Sequence, residues 1–319
     1  MTNSLRRVAP QLWVAYSLTL LCLILLALTS QDGITLDRVL RILSNAAPLG
    51  VVAVAQTIVI INRGLDLSVG PIMNTAGILV ALMSAAPNAS LAVTIPIVIV
   101  TGAAIGLVNG LLLAFTKIPP LLGTLATAAV IQGIYSLVTR GQPRGLIPAE
   151  LRELADGRLL GSSFSASLVI WIGLLIVVGL LMGRTVAGRR FYAVGTNPRA
   201  SWLSGVPIRS HTVFAYVASG TLAAVAGILL VSYSGAPSLT AADSYALNSV
   251  VAAVIGGAAL SGGAGGMAGT FAGVAVMSFL ATVLNSFGIP PSVQLIVSGA
   301  VLILMLFVNG RISRARSRT

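Results

Sequence analysis

Ten apolar stretches, each about as long as a membrane-spanning helix, dominate this sequence. Roughly 20 helical residues cross the hydrocarbon core of a bilayer. Backbone groups in lipid must hydrogen-bond within their own segment, so each stretch predicts a transmembrane helix. The stretches cover residues 9–29, 39–61, 70–86, 91–115, 118–138, 165–183, 212–232, 244–260, 265–286 and 292–309. The sequence therefore predicts an all-α, polytopic membrane protein with one transmembrane domain over residues 1–319.

The composition excludes the main classes of soluble protein. Hydrophobic residues make up 56% of the chain and charged residues only 8%, against roughly a quarter charged in soluble domains. A soluble enzyme, a coiled coil and a disordered regulator all need a more polar surface. The first stretch follows Arg6 and Arg7 and lacks a small-residue cleavage site near its end. We therefore expect a retained span rather than a cleaved signal peptide.

The net charge of +12 is concentrated on one predicted face. Ten spans place both termini on the same side, together with 13 basic residues and one acid, Asp66. The opposite side carries six charges of each sign. This is the positive-inside distribution of multi-span proteins, so both termini are predicted to be cytoplasmic. The basic charge is thus expected to face a membrane rather than a nucleic acid.

Two predicted extramembrane segments are long enough to contain structure. Residues 139–164 form an outer, periplasmic loop with mixed charge and a short helix near 149–154. Residues 184–211 form the longest inner segment, which is basic. In this inner segment, Asn197 suits the N-cap of a helix that starts at Pro198, and Gly205 suits its left-handed terminator. We therefore predict a two-turn helix over 198–204.

This short helix exposes Trp202 and Leu203 beside Arg199. A helix of two turns is only marginally stable by itself. An exposed apolar pair on such a helix therefore indicates that another surface covers the pair. A groove on a partner protein and the lipid headgroup region both fit this pattern. Sequence alone leaves the two alternatives open.

The turn between the second and third stretches contains Gly64, Asp66, Ser68 and Gly70. Asp66 could bind a cation or a proton, since acids near a membrane core are functional candidates. It could equally pair with Arg63 and stabilise the positive end of the next helix. We favour the structural role.

A glycine-rich segment over 255–266 resembles a phosphate-binding loop only superficially. A Walker loop needs a lysine after its last glycine, and the one lysine of the chain is Lys117. We therefore expect these glycines to permit sharp turns and close helix approach. His211 is alone at a helix start and Cys22 is the single cysteine, so we predict neither a metal site nor a cofactor.

Uncharged polar residues are the candidates for a solute path. Gln132, Tyr135, Ser136 and Thr139 fall at i, i+3, i+4 and i+7 and form one polar stripe on the fifth stretch. With Asn74 and Asn248, this stripe suits a neutral, hydroxyl-rich solute. Hydrogen bonding between helices is the alternative. It applies equally to the remaining amides in or near the stretches, which are Asn45, Gln56, Asn109, Asn285 and Gln294.

Three motifs resemble those of a known family. They are the Gly-Leu-Asp-Leu-Ser-Val-Gly run at 64–70, the segment 188–198 followed by Leu-Ser-Gly-Val at 203–206, and Ile-Gly-Gly at 255–257 with Leu-Ser-Gly-Gly at 260–263. The chain resembles the ribose-type permeases, the membrane subunits of bacterial ABC transporters that import monosaccharides. The similarity runs over most of the chain in the expected order. Ala264 departs from it, since the family usually has arginine there.

The resemblance implies a type II ABC importer-like permease in the bacterial inner membrane. Two permease subunits, two copies or a copy and a paralogue, would form the pathway. Two cytoplasmic ATP-binding cassettes would hydrolyse ATP, so this chain itself is not an enzyme, and a periplasmic solute-binding protein would deliver the sugar. Alternating access would move the solute into the cytoplasm. The residues of the segment 184–211 that would couple to the ATPase are Asn197, Pro198, Arg199, Trp202, Leu203 and Gly205.

Two alternatives remain at this point. One is an ABC permease for nucleosides or branched-chain amino acids. The other is a stand-alone carrier, which would need an ion-coupling site, and no acid, lysine or arginine lies in the middle of a predicted span.

Overall fold

The computed structural model describes residues 2–29, 33–86, 89–156 and 164–316, and in these residues the secondary structure is essentially all helical. Fourteen helices are described: α1 (Thr2–Thr29), α2 (Leu36–Asn45), α3 (Ala47–Ile61), α4 (Val69–Ser84), α5 (Leu91–Phe115), α6 (Pro120–Thr139), α7 (Ala149–Asp156), α8 (Ala166–Arg184), α9 (Val186–Thr196), α10 (Pro198–Leu203), α11 (Ile208–Ser234), α12 (Asp243–Ile255), α13 (Met267–Ser286) and α14 (Pro291–Arg316).

Each of the ten apolar stretches coincides with one of these helices or with a bent pair of them. Five helices of the described chain, α5, α6, α8, α11 and α13, are long and apolar enough to cross a membrane. The pair α2 and α3 passes the same test together, with a bend of 55° between its members. Shorter apolar helical segments lie in α1, α4, α12 and α14. The all-α, polytopic prediction is confirmed, while the number of ten spans and the side of the termini remain predictions.

The bend between α2 and α3 has a local cause. Pro48 lies at the start of α3 and has no backbone N–H. Its ring also excludes a straight helix through the preceding turn, so α2 ends at Asn45. The break turns the end of α2 away from the axis of α3.

The centre of the bundle is built from α3 and α11. Every residue of α3 except Leu49 is buried, as expected for a helix that is apolar on all sides. Helix α11 packs against α3, α4 and α5. Gly102 of α5 and Gly220 of α11 lie so close that a Cβ on either would collide with the other helix's backbone. Small residues thus allow the close helix contact that is typical of membrane bundles.

Contacts between loops occur at two places in the bundle. At one end, the segment 62–68 meets the loop between α12 and α13 and the start of α6. At the other end, Arg152 of α7 donates a hydrogen bond to the carbonyl of Gly235 at 3.0 Å. Helix α7 matches the short helix predicted near 149–154, and residues 157–163 of the predicted outer loop lie outside the described residues.

Candidate coupling segment and solute chamber

The predicted inner segment contains two helices, of which sequence analysis predicted one. Helix α9 begins after Thr185, whose hydroxyl accepts a hydrogen bond from the Gly188 N–H at 3.1 Å. Its end is set by Asn197, which adopts an extended conformation. The Asn197 side chain then accepts from the Ala200 N–H at 3.0 Å and caps α10. One residue therefore ends α9 and starts α10 in a new direction.

Helix α10 ends as predicted, at a left-handed glycine. Gly205 has φ +76° and donates to the Trp202 carbonyl at 2.9 Å, and the Val206 N–H donates to the Ser201 carbonyl at 3.0 Å. Ser201 is buried, whereas Trp202 is 67% exposed and Leu203 is 73% exposed. The predicted short helix with an exposed apolar pair is therefore present, over residues 198–203. Its docking role remains a prediction.

Helix α9 is attached to the bundle by a contact that we name the glycine junction, formed by Ile61, Gly195 and Gly263. The Gly263 N–H donates to the Ile61 carbonyl at 2.9 Å. A Cβ on Gly195 would collide with the Ile61 carbonyl oxygen and with Gly263. The junction therefore joins the end of α9 to the end of α3 and to the loop between α12 and α13. The close approach expected of the segment 255–266 is observed.

The loop between α12 and α13 depends on left-handed glycines. Gly262 has φ +85° and Gly263 has φ +71°, a region that side chains other than glycine rarely adopt. Gly262 packs directly against the Arg63 side chain. The Arg63 side chain thus lies against this loop.

Asp66 is completely buried, and its carboxylate accepts hydrogen bonds from two hydroxyl groups and one backbone N–H. One carboxylate oxygen accepts from the Ser68 N–H at 3.0 Å and from the Ser68 hydroxyl at 2.6 Å. The other accepts from the Ser219 hydroxyl of α11 at 2.7 Å. The alternative in which Asp66 pairs with Arg63 is therefore wrong, since Arg63 is exposed. The structural role is present in another form: Asp66 orders the start of α4.

The segment around Asp66 is fixed by several helices at once. The Leu65 carbonyl accepts from the Tyr216 hydroxyl of α11 at 3.2 Å and from the Thr124 hydroxyl of α6 at 3.3 Å. The Asn109 amide of α5 donates to the Ser68 hydroxyl at 2.8 Å. Burial raises the pKa of Asp66, and the hydrogen bonds from Ser68 and Ser219 oppose that rise.

The two glycines of the predicted turn fill tight positions. A Cβ on Gly64 would collide with the Tyr216 hydroxyl, and a Cβ on Gly70 would press on the Ala242 carbonyl oxygen. Gly64, Asp66, Ser68 and Gly70 thus form one packed unit between α3 and α4. This unit lies beside the glycine junction, because Ile61 is the last residue of α3.

The structure places the residues that were predicted to line a solute path at two separate sites. Asn74 donates to the Leu239 carbonyl at 2.8 Å and to the Asp243 carboxylate at 3.0 Å, and it accepts from the Ala242 N–H at 2.9 Å. The Tyr135 hydroxyl donates to the same Leu239 carbonyl at 2.9 Å. These two side chains hold the segment before α12. Their helix neighbours on α6 are exposed or half-buried, namely Gln132 and Ser136.

Asn248 lies elsewhere, in the wall of a chamber of about 530 Å³. This chamber is bounded by α2, α3, α11, α12, α13 and α14. Its polar lining residues are Asn45, Tyr233, Ser244, Tyr245, Asn248, Ser278, Thr282, Asn285, Gln294 and Ser298. No Asp, Glu, Lys or Arg is among the residues that line it.

Sequence reasoning noted three further amides of this chamber without placing them on the path. Asn45, Asn285 and Gln294 lie on three different helices, α2, α13 and α14. The only available signal was a polar residue within an apolar stretch. That signal is shared by Asn109 and Gln56, which are buried near Asp66. The tertiary fold is needed to separate the two groups.

His211 has a local structural contact. Its Nδ1 lies 2.9 Å from the Pro207 carbonyl oxygen, and its ring packs edge-on against Phe191. Within the described residues, His, Cys, Asp and Glu side chains form no cluster of three that could hold a metal ion.

The sequence matches known proteins over nearly its whole length. Residues 38–306 match the family described as branched-chain amino acid transport system / permease component. The ribose import permease protein RbsC of Escherichia coli K12 is 30% identical over 317 residues, covering 97% of this chain and 98% of that protein. RbsC of Haemophilus influenzae is 30% identical over 292 residues, 90% of each chain.

A differently named relative is equally similar. The autoinducer 2 import system permease protein LsrD of Yersinia pseudotuberculosis is 31% identical over 310 residues, covering 95% of this chain and 92% of that protein. No solved structure matches the chain.

Proposed function

Since the chain belongs to the family of branched-chain amino acid transport system permease components, we propose that it is the membrane subunit of an ATP-driven importer for a sugar or sugar-like solute. The family match and the relatives confirm the resemblance to ribose-type permeases that the three motifs indicated. Membership and the apolar helices make the chain a multi-pass protein of the inner membrane. We propose that the solute moves from the periplasm to the cytoplasm by alternating access.

One observation carries the proposal: the exposed pair Trp202 and Leu203 on α10. A six-residue helix that is capped at both ends holds these side chains outward, although burying them would be favourable. Arg199, on the same helix, is exposed as well. We propose that a cytoplasmic ATP-binding cassette covers this pair. We propose a partner groove rather than the lipid headgroups, because the resemblance to ABC permeases implies ATP-binding cassettes outside the membrane domain.

The glycine junction gives that docking a route into the bundle. Helix α10 follows α9 after a single residue, and α9 contacts the end of α3 and the loop before α13 through Gly195 and Gly263. Because these backbone contacts are closely packed, one element can move little without moving the other. We propose that closure of two cassettes on ATP moves α9 and α10 as one body. That movement would tilt α3 and α13 and alternate the access of the solute path.

The names of the relatives favour a sugar-type solute. RbsC is a ribose import permease and LsrD an autoinducer 2 import permease. We propose the five predicted residues as parts of the path in two places. Asn248 would face the solute in the chamber, while Asn74 and Tyr135, with Gln132 and Ser136 on the same face of α6, would hold the segment before α12 at its outer end.

A second candidate is an ABC permease for branched-chain amino acids, because the family description names them. An ABC permease for nucleosides is the other form of this second candidate. The cognate periplasmic solute-binding protein distinguishes the candidates. A thermal-shift screen of that protein against monosaccharides, polyols, leucine and adenosine identifies the class of solute that is delivered.

Reconstitution in proteoliposomes tests the proposal against a stand-alone carrier. The permease is assembled with its cassettes, a second permease subunit and the loaded binding protein, and uptake is measured with and without internal ATP. We expect uptake only when cassettes and ATP are both present. Equal uptake without cassettes would contradict the proposal. Among the described residues Asp66 is the only buried acid, so a carrier would have to use a carboxylate that three hydrogen bonds already occupy.

A further inference from the structure

Two basic residues are neighbours of Phe115 at one end of the bundle, where α5 ends and α11 begins. The Arg209 guanidinium of α11 lies over the Phe115 ring, 5.0 Å from the ring centre. Lys117 follows Phe115 by two residues, and both basic side chains are exposed. We propose that Arg209, Lys117 and Phe115 form a lipid site that binds the phosphate of an anionic phospholipid. The proposal depends only on the chain's being a membrane protein and goes beyond its proposed transport function.

The position of Arg209 is set by the close packing of α5 against α11. A Cβ on Gly110 of α5 would press on the main chain of Val213 of α11. From that contact, Phe115 lies five residues further along α5 and Arg209 four residues back along α11. The two helices are antiparallel here, so the same register brings Phe115 opposite Arg209. The pair is therefore a product of the helix packing.

The position of Lys117 is set by a hydrogen-bonded turn. The Thr116 hydroxyl donates to the Leu112 carbonyl at 2.6 Å and accepts from the Ile118 N–H at 3.3 Å. Pro119, whose ring fixes its backbone φ angle, then precedes the first turn of α6. The short connection between α5 and α6 thus keeps Lys117 close to the end of α5.

The described chain supplies no anion for these two basic residues. Neither Arg209 nor Lys117 has an ion-pair partner among the residues that the structure describes. Asp66 contacts α11, but it is buried and its two carboxylate oxygens accept hydrogen bonds from Ser68 and Ser219. The other described acids lie on α2, α7 and α12. A counter-ion for this site must therefore come from outside the described chain.

The chemistry and the level of the site fit a lipid phosphate. Arginine presents N–H donors that bind two phosphate oxygens at once, and lysine adds a compact positive charge. Helices α5 and α11 are both long and apolar enough to span a membrane, so their ends lie near the headgroups. Basic sites between spans at this level suit anionic headgroups. The Arg209 donors, which have no hydrogen-bond partner among the described residues, are available for such a headgroup.

The surface beside the lipid site is apolar and exposed. Phe115 and Leu111 are exposed on α5, Phe214 on α11 and Leu122 on α6. In a bilayer, exposed apolar side chains of spanning helices are solvated by acyl chains. A phospholipid matches both parts of this surface, because its phosphate meets the basic residues and its acyl chains meet the apolar ones. This continuity favours a lipid over the acidic surface of a soluble protein.

Photochemical crosslinking tests which lipid lies at the site. The residue p-benzoylphenylalanine in place of Phe115 keeps an aromatic ring there and attaches covalently to a neighbouring lipid on irradiation. The full-length chain is reconstituted in vesicles with equal amounts of phosphatidylglycerol and phosphatidylcholine, which is neutral overall. Mass spectrometry gives the ratio of the two lipid adducts. We expect phosphatidylglycerol adducts to exceed phosphatidylcholine adducts roughly five-fold or more.

Three controls separate the site from the rest of the surface. The photoreactive residue in place of Val130, which is exposed in the middle of α6, should give an adduct ratio of about one because no headgroup lies there. Arg209→Gln/Lys117→Gln in the Phe115-substituted chain should lower the ratio to about one while the melting temperature is retained. Arg140→Gln/Arg144→Gln, which removes two exposed arginines before α7, should leave the preference unchanged.

Several outcomes would overturn the proposal. One is an equal yield of the two adducts in the chain that keeps both basic residues. Another is an unchanged preference in Arg209→Gln/Lys117→Gln, which would assign the preference to the overall positive charge of the chain. Loss of the preference in excess inorganic phosphate would show a site for the free ion, whereas a retained preference supports the lipid.

The assembled importer provides the last comparison. Loss of the phosphatidylglycerol adduct when the ATP-binding cassettes are added would assign the surface to a protein partner and overturn the proposal. A retained adduct in the assembly supports a lipid that stays bound beside the cassettes. None of these measurements uses transport, so a failure of the proposed function would leave their result unaffected.

Discussion

The hydroxyl group of Tyr192 donates a hydrogen bond to the main-chain carbonyl of Gly265 at 3.0 Å. Tyr192 lies on α9, in the segment that carries α10, and Gly265 lies in the loop before α13. Burial raises the pKa of Tyr192, so its hydroxyl stays a donor over the physiological pH range. This bond and the glycine junction fasten residues 184–211, which we call the coupling segment after its proposed role, to the bundle at two points on the same loop.

Removal of the Tyr192 hydroxyl should loosen this attachment. Tyr192→Phe leaves the ring in place but takes the donor from the Gly265 carbonyl, at a cost of about 1 kcal/mol. We expect a small decrease in the melting temperature and a lower number of solute molecules imported per ATP hydrolysed. An unchanged transport ratio in proteoliposomes would show that the bond plays no part in coupling.

A side chain at the glycine junction should be far more damaging. Gly195→Ala places a methyl group against the Ile61 carbonyl and Gly263, and overpacking of this kind costs about 1–3 kcal/mol. We expect a clearly lower melting temperature and loss of ATP-driven uptake.

Gly173→Ala is the matched control for this change. Gly173 is also helical, but a Cβ there meets no other atom within 4 Å. Alanine is a better helix former than glycine, so this variant should be as stable as the wild type or slightly more so. Equal effects of the two substitutions on thermal unfolding would disprove the packing role of Gly195.

Asp66 should make the stability of the protein depend on pH. Burial raises its pKa in the folded state above the ordinary value of about 4. Its contribution to the free energy of unfolding is therefore complete at low pH and declines as the pH rises from the ordinary value through the raised one. Asp66→Asn imitates the protonated form and does not titrate, so its melting temperature should vary less with pH above about 4.

The control for Asp66 is an exposed acid. Glu150→Gln changes a side chain on the surface of α7 and should keep the pH dependence of the wild type. Melting temperatures measured between pH 4 and 8 decide the question. An Asp66→Asn protein with the wild-type slope would mean that the carboxyl group has no shifted titration in this range.

The caps of α10 could be predicted from the sequence, but the contacts of the coupling segment could not. Asn197, Pro198 and Gly205 act on neighbouring residues, so their order in the chain is sufficient. Helix α9 was missed although Thr185 caps it, because its glycines and arginines show no clear helical period. A helix cap can be predicted from the sequence because the residues that form it are neighbours in the chain.

Long-range pairs account for what sequence reasoning missed. Asp66 receives a hydrogen bond from Ser219, which lies 153 residues later in the chain. Its nearer candidate partner, Arg63, packs against Gly262 instead. The chamber amides lie on four different helices and resemble the buried structural amides in sequence. Only the tertiary arrangement brings such residues together.

The exposed pair on α10 provides the most direct test of the account as a whole. Trp202→Ala/Leu203→Ala removes the apolar contact and leaves the caps of the helix intact, and Trp13→Ala/Leu146→Ala removes side chains that are as exposed elsewhere. The measurement is the number of solute molecules imported per ATP hydrolysed by the reconstituted importer. We predict that this ratio falls at least ten-fold in the α10 variant and stays at the wild-type value in the control. A wild-type ratio in Trp202→Ala/Leu203→Ala would contradict the claim that the cassettes drive this permease through α10.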